Sequence, residues 1–200
     1  MLNKLDTLEK LYNDIDGYNL SALSRIKGVP TNKDLTYGEI GFASFLDIIN
    51  QLDLSKQHQT FCDLGSGTGK AVLAAAISEK FDYSYGIELL PDLYKASQAI
   101  LRQFNKDILC QLKDSEKLKI DFFQADFLQY DFSNADVVLV QCTCMSDQTM
   151  GDLQEKLNKL KPGSIVITVT QVLKAPFTSI SSNKYKMGWG EATVYINKKT

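Results

Sequence analysis

Residues 59–70 read Gln-Thr-Phe-Cys-Asp-Leu-Gly-Ser-Gly-Thr-Gly-Lys, and this stretch constrains the fold more than any other. Phe61, Cys62 and Leu64 make a short apolar run of strand character. Glycines at 65, 67 and 69 admit a sharp turn, and residues 71–77 are an alanine-rich run of helical character. A strand that enters a helix through a glycine turn presents backbone N–H groups to a nucleotide-like ligand at the edge of an α/β sheet.

The rest of the chain agrees with such a sheet. Leu2, Leu5, Leu8, Leu11, Tyr12 and Ile15 recur every three to four residues, which predicts an amphipathic helix over 2–15, broken at Asp16-Gly17. Residues 17–35 read as polar and irregular, with a turn at Gly28-Val29-Pro30, and are either a lid or a connection. Thr36-Tyr37-Gly38-Glu39 is expected to open a helix carrying Ile40, Phe42, Phe45, Ile48, Ile49 and Leu52. Strands are expected over 83–87, 120–125, 136–141 and 164–170, with helices over 69–80, from Pro91 onward and over 147–160. Residues 171–190 read as loop, and 192–197 as a last strand. Alternation of strand and helix predicts a doubly wound, mostly parallel α/β sheet. The expected division is an N-terminal helical extension or lid (1–35) and one sheet domain (36–200).

Composition excludes several function classes. No run of eighteen apolar residues is present, so no membrane span is expected, and the N-terminus lacks the apolar core of a signal peptide. A cytoplasmic or nuclear location is the resulting expectation. A net charge of −2 argues against direct coating of nucleic acid. His58 is the only histidine, and cysteines at 62, 110, 142 and 144 do not have zinc spacing. No metal site and no histidine-based triad are expected.

Three ligands compete for the glycine turn. A Walker A loop fails at both ends, because Leu64 stands five before Gly69 and Ala71 stands where a magnesium-binding hydroxyl belongs. A dinucleotide fingerprint is one residue short, since the glycines are spaced Gly65-x-Gly67-x-Gly69. S-adenosylmethionine has no phosphates and needs bare backbone with acidic groups around it. Asp63 is placed for its charged end, and Glu88, at the end of the second strand, for the ribose hydroxyls. Asp126-Phe127 ends the third strand, where an acid suits the adenine amine and a ring its face. Three acids at consecutive strand ends favour this cofactor.

These pieces resemble the seven-β-strand S-adenosylmethionine-dependent methyltransferases, and most of all the non-SET histone-lysine methyltransferases of the disruptor-of-telomeric-silencing family. Tyr37-Gly38-Glu39 with Phe42 resembles the family's Y-G-E-x-x-F, and residues 61–69 its F-x-D-L-G-S-G-x-G. Tyr85-Gly86-Ile87-Glu88 resembles Y-G-[IV]-E, Asp126-Phe127-Leu128 resembles D-F-L, and Trp189 the tryptophan ahead of the last strand. The resemblance implies a Rossmann-like sheet of seven strands and transfer of methyl groups to a protein lysine, histone or not. It implies that Tyr37 and Glu39 close over the methionine part, while Asp63, Gly65, Gly67 and Lys70 line the amino-acid side, with Ser66 and Gly69 of the same turn also expected to bind the cofactor. Glu88 would hold the ribose, and Asp126 with Phe127 the adenine.

One segment departs from that pattern. Where the family shows N-N-F-x-F after the fourth strand, this chain has Gln141-Cys142-Thr143-Cys144-Met145. Gln141 keeps an amide that can accept from an amine; with Tyr37 it is the expected catalytic pair, and it is also expected among the cofactor-binding residues. Transfer to RNA or a small molecule, and a non-catalytic scaffold that only binds the cofactor, remain the alternatives.

Overall fold

The computed structural model describes residues 4–27, 33–54, 59–112 and 116–200. The turn expected at Gly28-Val29-Pro30 and the lone His58 lie outside the described residues. Seven strands form one sheet: β1 (Thr60–Leu64), β2 (Tyr83–Glu88), β3 (Lys119–Gln124), β4 (Val137–Gln141), β5 (Ile165–Val169), β6 (Phe177–Met187) and β7 (Gly190–Lys199). Their order is β3-β2-β1-β4-β5-β7-β6. The first five strands are parallel, and β7 runs antiparallel to both β5 and β6. The sheet is thus mostly parallel and doubly wound, as expected from the alternation of strand and helix.

Burial on both faces explains why the central strands read as unbroken apolar runs. Val137 and Leu139 of β4 face one core, which also holds Phe45, Phe61 and Phe104. Val138 and Val140 face the other, with Tyr85, Phe132, Leu153 and Leu157. Helices α3 (Phe42–Gln51), α4 (Lys70–Ile77) and α5 (Pro91–Asp107) supply the first core, and α6 (Asp147–Leu157) the second. Helix α1 (Lys4–Leu11) packs on α4 and α5 through buried Leu8.

Three expectations are corrected. Residues 17–26, read as irregular, form helix α2 (Gly17–Ile26), whose N-cap is Asp16 accepting from the Asn19 N–H at 3.0 Å. Small polar residues hid its period, because it buries Gly17, Ser21 and Ser24 rather than leucines. Second, Thr36 does not open a helix. Residues 36–41 are extended, Ile40 bridges Met187 antiparallel, and α3 begins only at Phe42 after extended Gly41. Third, the segment read as loop over 171–190 contains β6. It is an edge strand with a mostly exposed, polar face, and pairing with β7 rather than burial holds it in place.

Candidate active site

The strand order reverses between β1 and β4, and a cavity of about 470 Å³ opens at the carboxyl ends of these strands. This is where doubly wound sheets bind ligands, since helices on opposite faces diverge there. Leu64 and Gly65 after β1, Glu88 of β2, Asp126 and Phe127 after β3, and Gln141 of β4 all line it. Asp63, Ser66, Gly67 and Lys70 line a smaller recess of about 20 Å³ on the far side of Gly65.

The glycine turn is held by Glu88. One carboxylate oxygen accepts the Gly67 N–H at 2.8 Å and the other accepts the Leu90 N–H at 2.7 Å, so β2 clamps the turn that follows β1. Gly67 has φ of +55°, and a side chain there would bring its Cβ within 2.7 Å of the Tyr37 ring. Both facts require glycine. Gly69 caps α4 in the left-handed region, and Gly65 also has positive φ. Ser66 lines the recess, but its hydroxyl does not face it. Its Oγ packs against Gly86 of β2 and has no hydrogen-bond partner among the described residues.

Two buried carboxylates share this corner. Asp63 is 5% exposed, and its carboxyl makes neither a hydrogen bond nor an ion pair among the described residues. Burial, with the nearby charge of Glu88, pushes it up to about 8. Burial raises Glu88 as well, against the lowering effect of the Leu90, Gly67 and Leu89 amides. A pair of buried acids without a cation is costly unless a ligand supplies one.

Glu39 binds both the Tyr37 hydroxyl and the Lys70 ammonium. Lys70 also lies 5.3 Å from the centre of the Tyr12 ring. Burial, followed by the charge of Glu39, holds the Tyr37 hydroxyl far above the usual phenol range. Tyr37 therefore keeps its proton and donates a hydrogen bond to Glu39. Its hydroxyl is also 3.4 Å from Thr68 Oγ1, and Thr68 O accepts from Tyr12 at 3.1 Å. No sequence signal marked Thr68 or Tyr12 as part of this network.

Asp126 accepts the Leu128 N–H at 2.8 Å, which folds the turn after β3 and presents Phe127 to the cavity. Across from it, the extended segment 36–41 is sewn to the β6–β7 turn: Gly188 N–H donates to Glu39 O at 2.8 Å. The Trp189 indole nitrogen would lie 2.7 Å from a Cβ on Gly38, and Gln141 Oε1 3.5 Å from the same point. The Gln141 amide makes no side-chain hydrogen bond among the described residues. Asp34, which sequence reading missed, accepts from the Ser146 N–H at 2.6 Å and the Thr149 hydroxyl at 2.7 Å. It thereby pins this wall to the start of α6. Thr143, Cys144, Met145, Leu89, Leu90 and Leu93 complete the lining, which contains three carboxylates and neither lysine nor arginine. Among the described residues no group of His, Cys, Asp and Glu could hold a metal, and no helix is long and apolar enough to cross a membrane.

Comparison with known proteins points one way. The family model for histone methylation protein DOT1 matches residues 25–189. The chain is 27% identical over 164 residues to an H3 lysine-79 specific histone-lysine N-methyltransferase of Dictyostelium discoideum, covering 71% of this chain and 9% of that protein. It is 29% identical over 159 residues to the enzyme of the same description from Cryptococcus neoformans, covering 76% and 24%. It thus spans a quarter or less of the length of these two relatives. Among solved structures, magnesium protoporphyrin IX methyltransferase from Synechocystis, with bound S-adenosylmethionine, aligns over 100% of this chain and 99% of its own. The TM-score is 0.57 at 12% identity. TrmN from Thermus thermophilus aligns over 92% of this chain and 53% of its own, with a TM-score of 0.58 at 16% identity. These two likenesses bear on the fold alone.

Proposed function

The chain belongs to the histone methylation protein DOT1 family, and on that premise we propose that it is an S-adenosylmethionine-dependent methyltransferase acting on a protein lysine. One observation carries the proposal. Asp63 and Glu88 are buried acids without a cation, and they converge on a glycine turn at the switch point of the sheet. A cofactor with a cationic amino-acid end and a neutral adenosine suits that corner. A triphosphate does not, because Lys70 is already paired with Glu39 and the cavity lining offers no other cation.

S-adenosylmethionine, when bound, supplies a methyl group on a sulfonium, ready for in-line displacement. The residues around it position and desolvate. Glu88 keeps lone pairs beside its two backbone amides to accept ribose hydroxyls, while Asp126 and Phe127 take the adenine. Tyr37, held protonated on Glu39, walls the donor end. At the acceptor end Met145 and Trp189 reduce water contact, which lowers the pKa of an entering lysine and favours its neutral, nucleophilic form. Gln141 Oε1 accepts an N–H of that amine and aims its lone pair. Alignment of this kind is worth up to roughly 7–11 kcal/mol of barrier, so no dedicated base is required.

The relatives' H3 lysine-79 specificity makes a histone in the nucleus the first acceptor to try. The test has two stages. Calorimetric titration with S-adenosylmethionine should show one site, and radiolabelled cofactor should mark a protein whose modified residue is a lysine by mass spectrometry. Label in RNA or metabolites alone would favour those acceptors instead. No cofactor binding would leave a scaffold.

A further inference from the structure

Helix α2 is turned inside out. Gly17, Ser21 and Ser24, spaced four and three apart on one face, are its buried residues. Three of its apolar residues point outward, Tyr18 at 44%, Leu23 at 39% and Ile26 at 81% exposed, while Leu20 is half-buried. A surface helix ordinarily does the opposite, so an apolar outward face signals a partner.

The helix is fixed at both ends beside the cavity. The Tyr18 ring meets the Tyr37 ring edge-on at 5.3 Å, and the Tyr18 hydroxyl would lie 2.9 Å from a Cβ on Gly188. At the other end Ser24 and Lys27 bind Asp92, at the start of α5 and next to cavity residues Leu90 and Leu93. Two further exposed apolar side chains, Leu89 and Trp189, line the cavity itself. Five of the seven large apolar residues exposed among the described residues therefore belong to α2 or to the cavity wall.

We propose that the outward face of α2, continuous with Leu89 and Trp189, docks the polypeptide of the methyl acceptor. That acceptor is a protein segment that sets apolar side chains on Tyr18, Leu23 and Ile26 while its lysine enters the cavity. The proposal rests on the methyltransferase reading above. Charge selects the occupant: beside Glu88 and Asp126, which face the cofactor, the lining holds Asp34 and no basic residue, so a lysine approaches as a cation and sheds its proton only at the apolar acceptor wall. Nucleic acid is disfavoured at this face, because α2 and its C-cap carry only two cations, Arg25 and Lys27, and Lys27 is already paired with Asp92.

The test is transfer of radiolabelled methyl from S-adenosylmethionine to the proteins of a whole-cell lysate, by the wild type and by Ile26→Asp and Leu23→Asp. Calorimetry with the cofactor and light scattering accompany it. Both positions are exposed, so folding and cofactor affinity should be retained, while protein labelling at limiting enzyme falls about tenfold or more. A milder Ile26→Ser variant should show an intermediate loss. Equal labelling by wild type and variants would overturn the docking surface alone. Conversion of a wild-type dimer to a monomer by Ile26→Ser would overturn it in favour of a second copy. Cofactor binding without any protein label would overturn both this and the lysine reading.

Discussion

At the donor end of the cavity, the polar groups come from the ends of adjacent strands. Asp63, the glycine turn and Glu88 sit on β1 and β2, whose residues pair in register from Thr60 with Tyr83 to Leu64 with Ile87. The Gly67 N–H, donating to the Glu88 carboxylate at 2.8 Å, ties the turn to the end of β2. At the acceptor end, the wall is collected from Asp34, Gly38, Gln141, Thr143, Met145 and Trp189, drawn from segments far apart in the chain. There the Gln141 amide has no side-chain partner among the described residues. A donor pocket built on rigid strand ends can be kept through divergence, whereas a wall of loops can be rebuilt for a different acceptor. The comparison predicts that donor-side changes alter cofactor affinity and acceptor-side changes alter turnover.

The largest effect should come from Gly67→Val. A β-branched residue at φ of +55° is strained, and its Cβ would press on the Tyr37 ring. Calorimetry should show cofactor affinity reduced by about 100-fold or more, equivalent to roughly 2.7 kcal/mol. Retained affinity would break the claim that the turn is the donor site.

Next is Glu88→Ala, which orphans the Gly67 and Leu90 amides. Urea unfolding should show a stability loss of about 1–3 kcal/mol, together with weaker cofactor binding.

Asp63 gives a pH signature. Its folded carboxyl titrates at about 8 against an ordinary 3.8. The unfolded chain releases that proton earlier, so this group's contribution to stability is fully present below about pH 4 and lost as pH rises toward about 8. Asp63→Asn should flatten that decline in thermal unfolding. Because a cationic ligand favours the ionised acid, wild-type cofactor affinity should rise with pH up to about 8, and binding near neutrality should release a proton. Titrations in buffers of different ionisation enthalpy measure that proton.

Gln141→Ala should leave cofactor affinity unchanged and lower kcat for the protein acceptor by about tenfold, the loss of one aligning hydrogen bond. A change in affinity instead would move Gln141 to the donor side. The smallest effect is expected for Asp34→Ala. It frees the wall from α6 and should cost about 1 kcal/mol in thermal stability, as the loss of a helix cap does. A modest rise in KM for the acceptor should accompany it.

The central strands, the turn and the line of acids could be read from residues because each is local. A strand buried on both faces is apolar throughout, and an acid ending it is found by counting. The errors share a different cause. β6 is a polar strand held at an edge by pairing to β7, α2 packs inward through glycine and serines, and the 36–41 segment is tied to Met187 and Gly188 instead of starting a helix. Each owes its conformation to a partner distant in sequence.

By itself, then, the sequence determined the alternation that makes a doubly wound sheet and the glycine turn with Asp63, Glu88 and Asp126 at its strand ends. Backbone geometry and strand period fix those features over a few residues. The tertiary structure decided that Tyr37, Glu39 and Lys70 form one network, that Ser66 turns into the sheet, and that α2 shows its apolar face beside the cavity. Those outcomes depend on which surfaces meet, and only packing of the whole chain sets that.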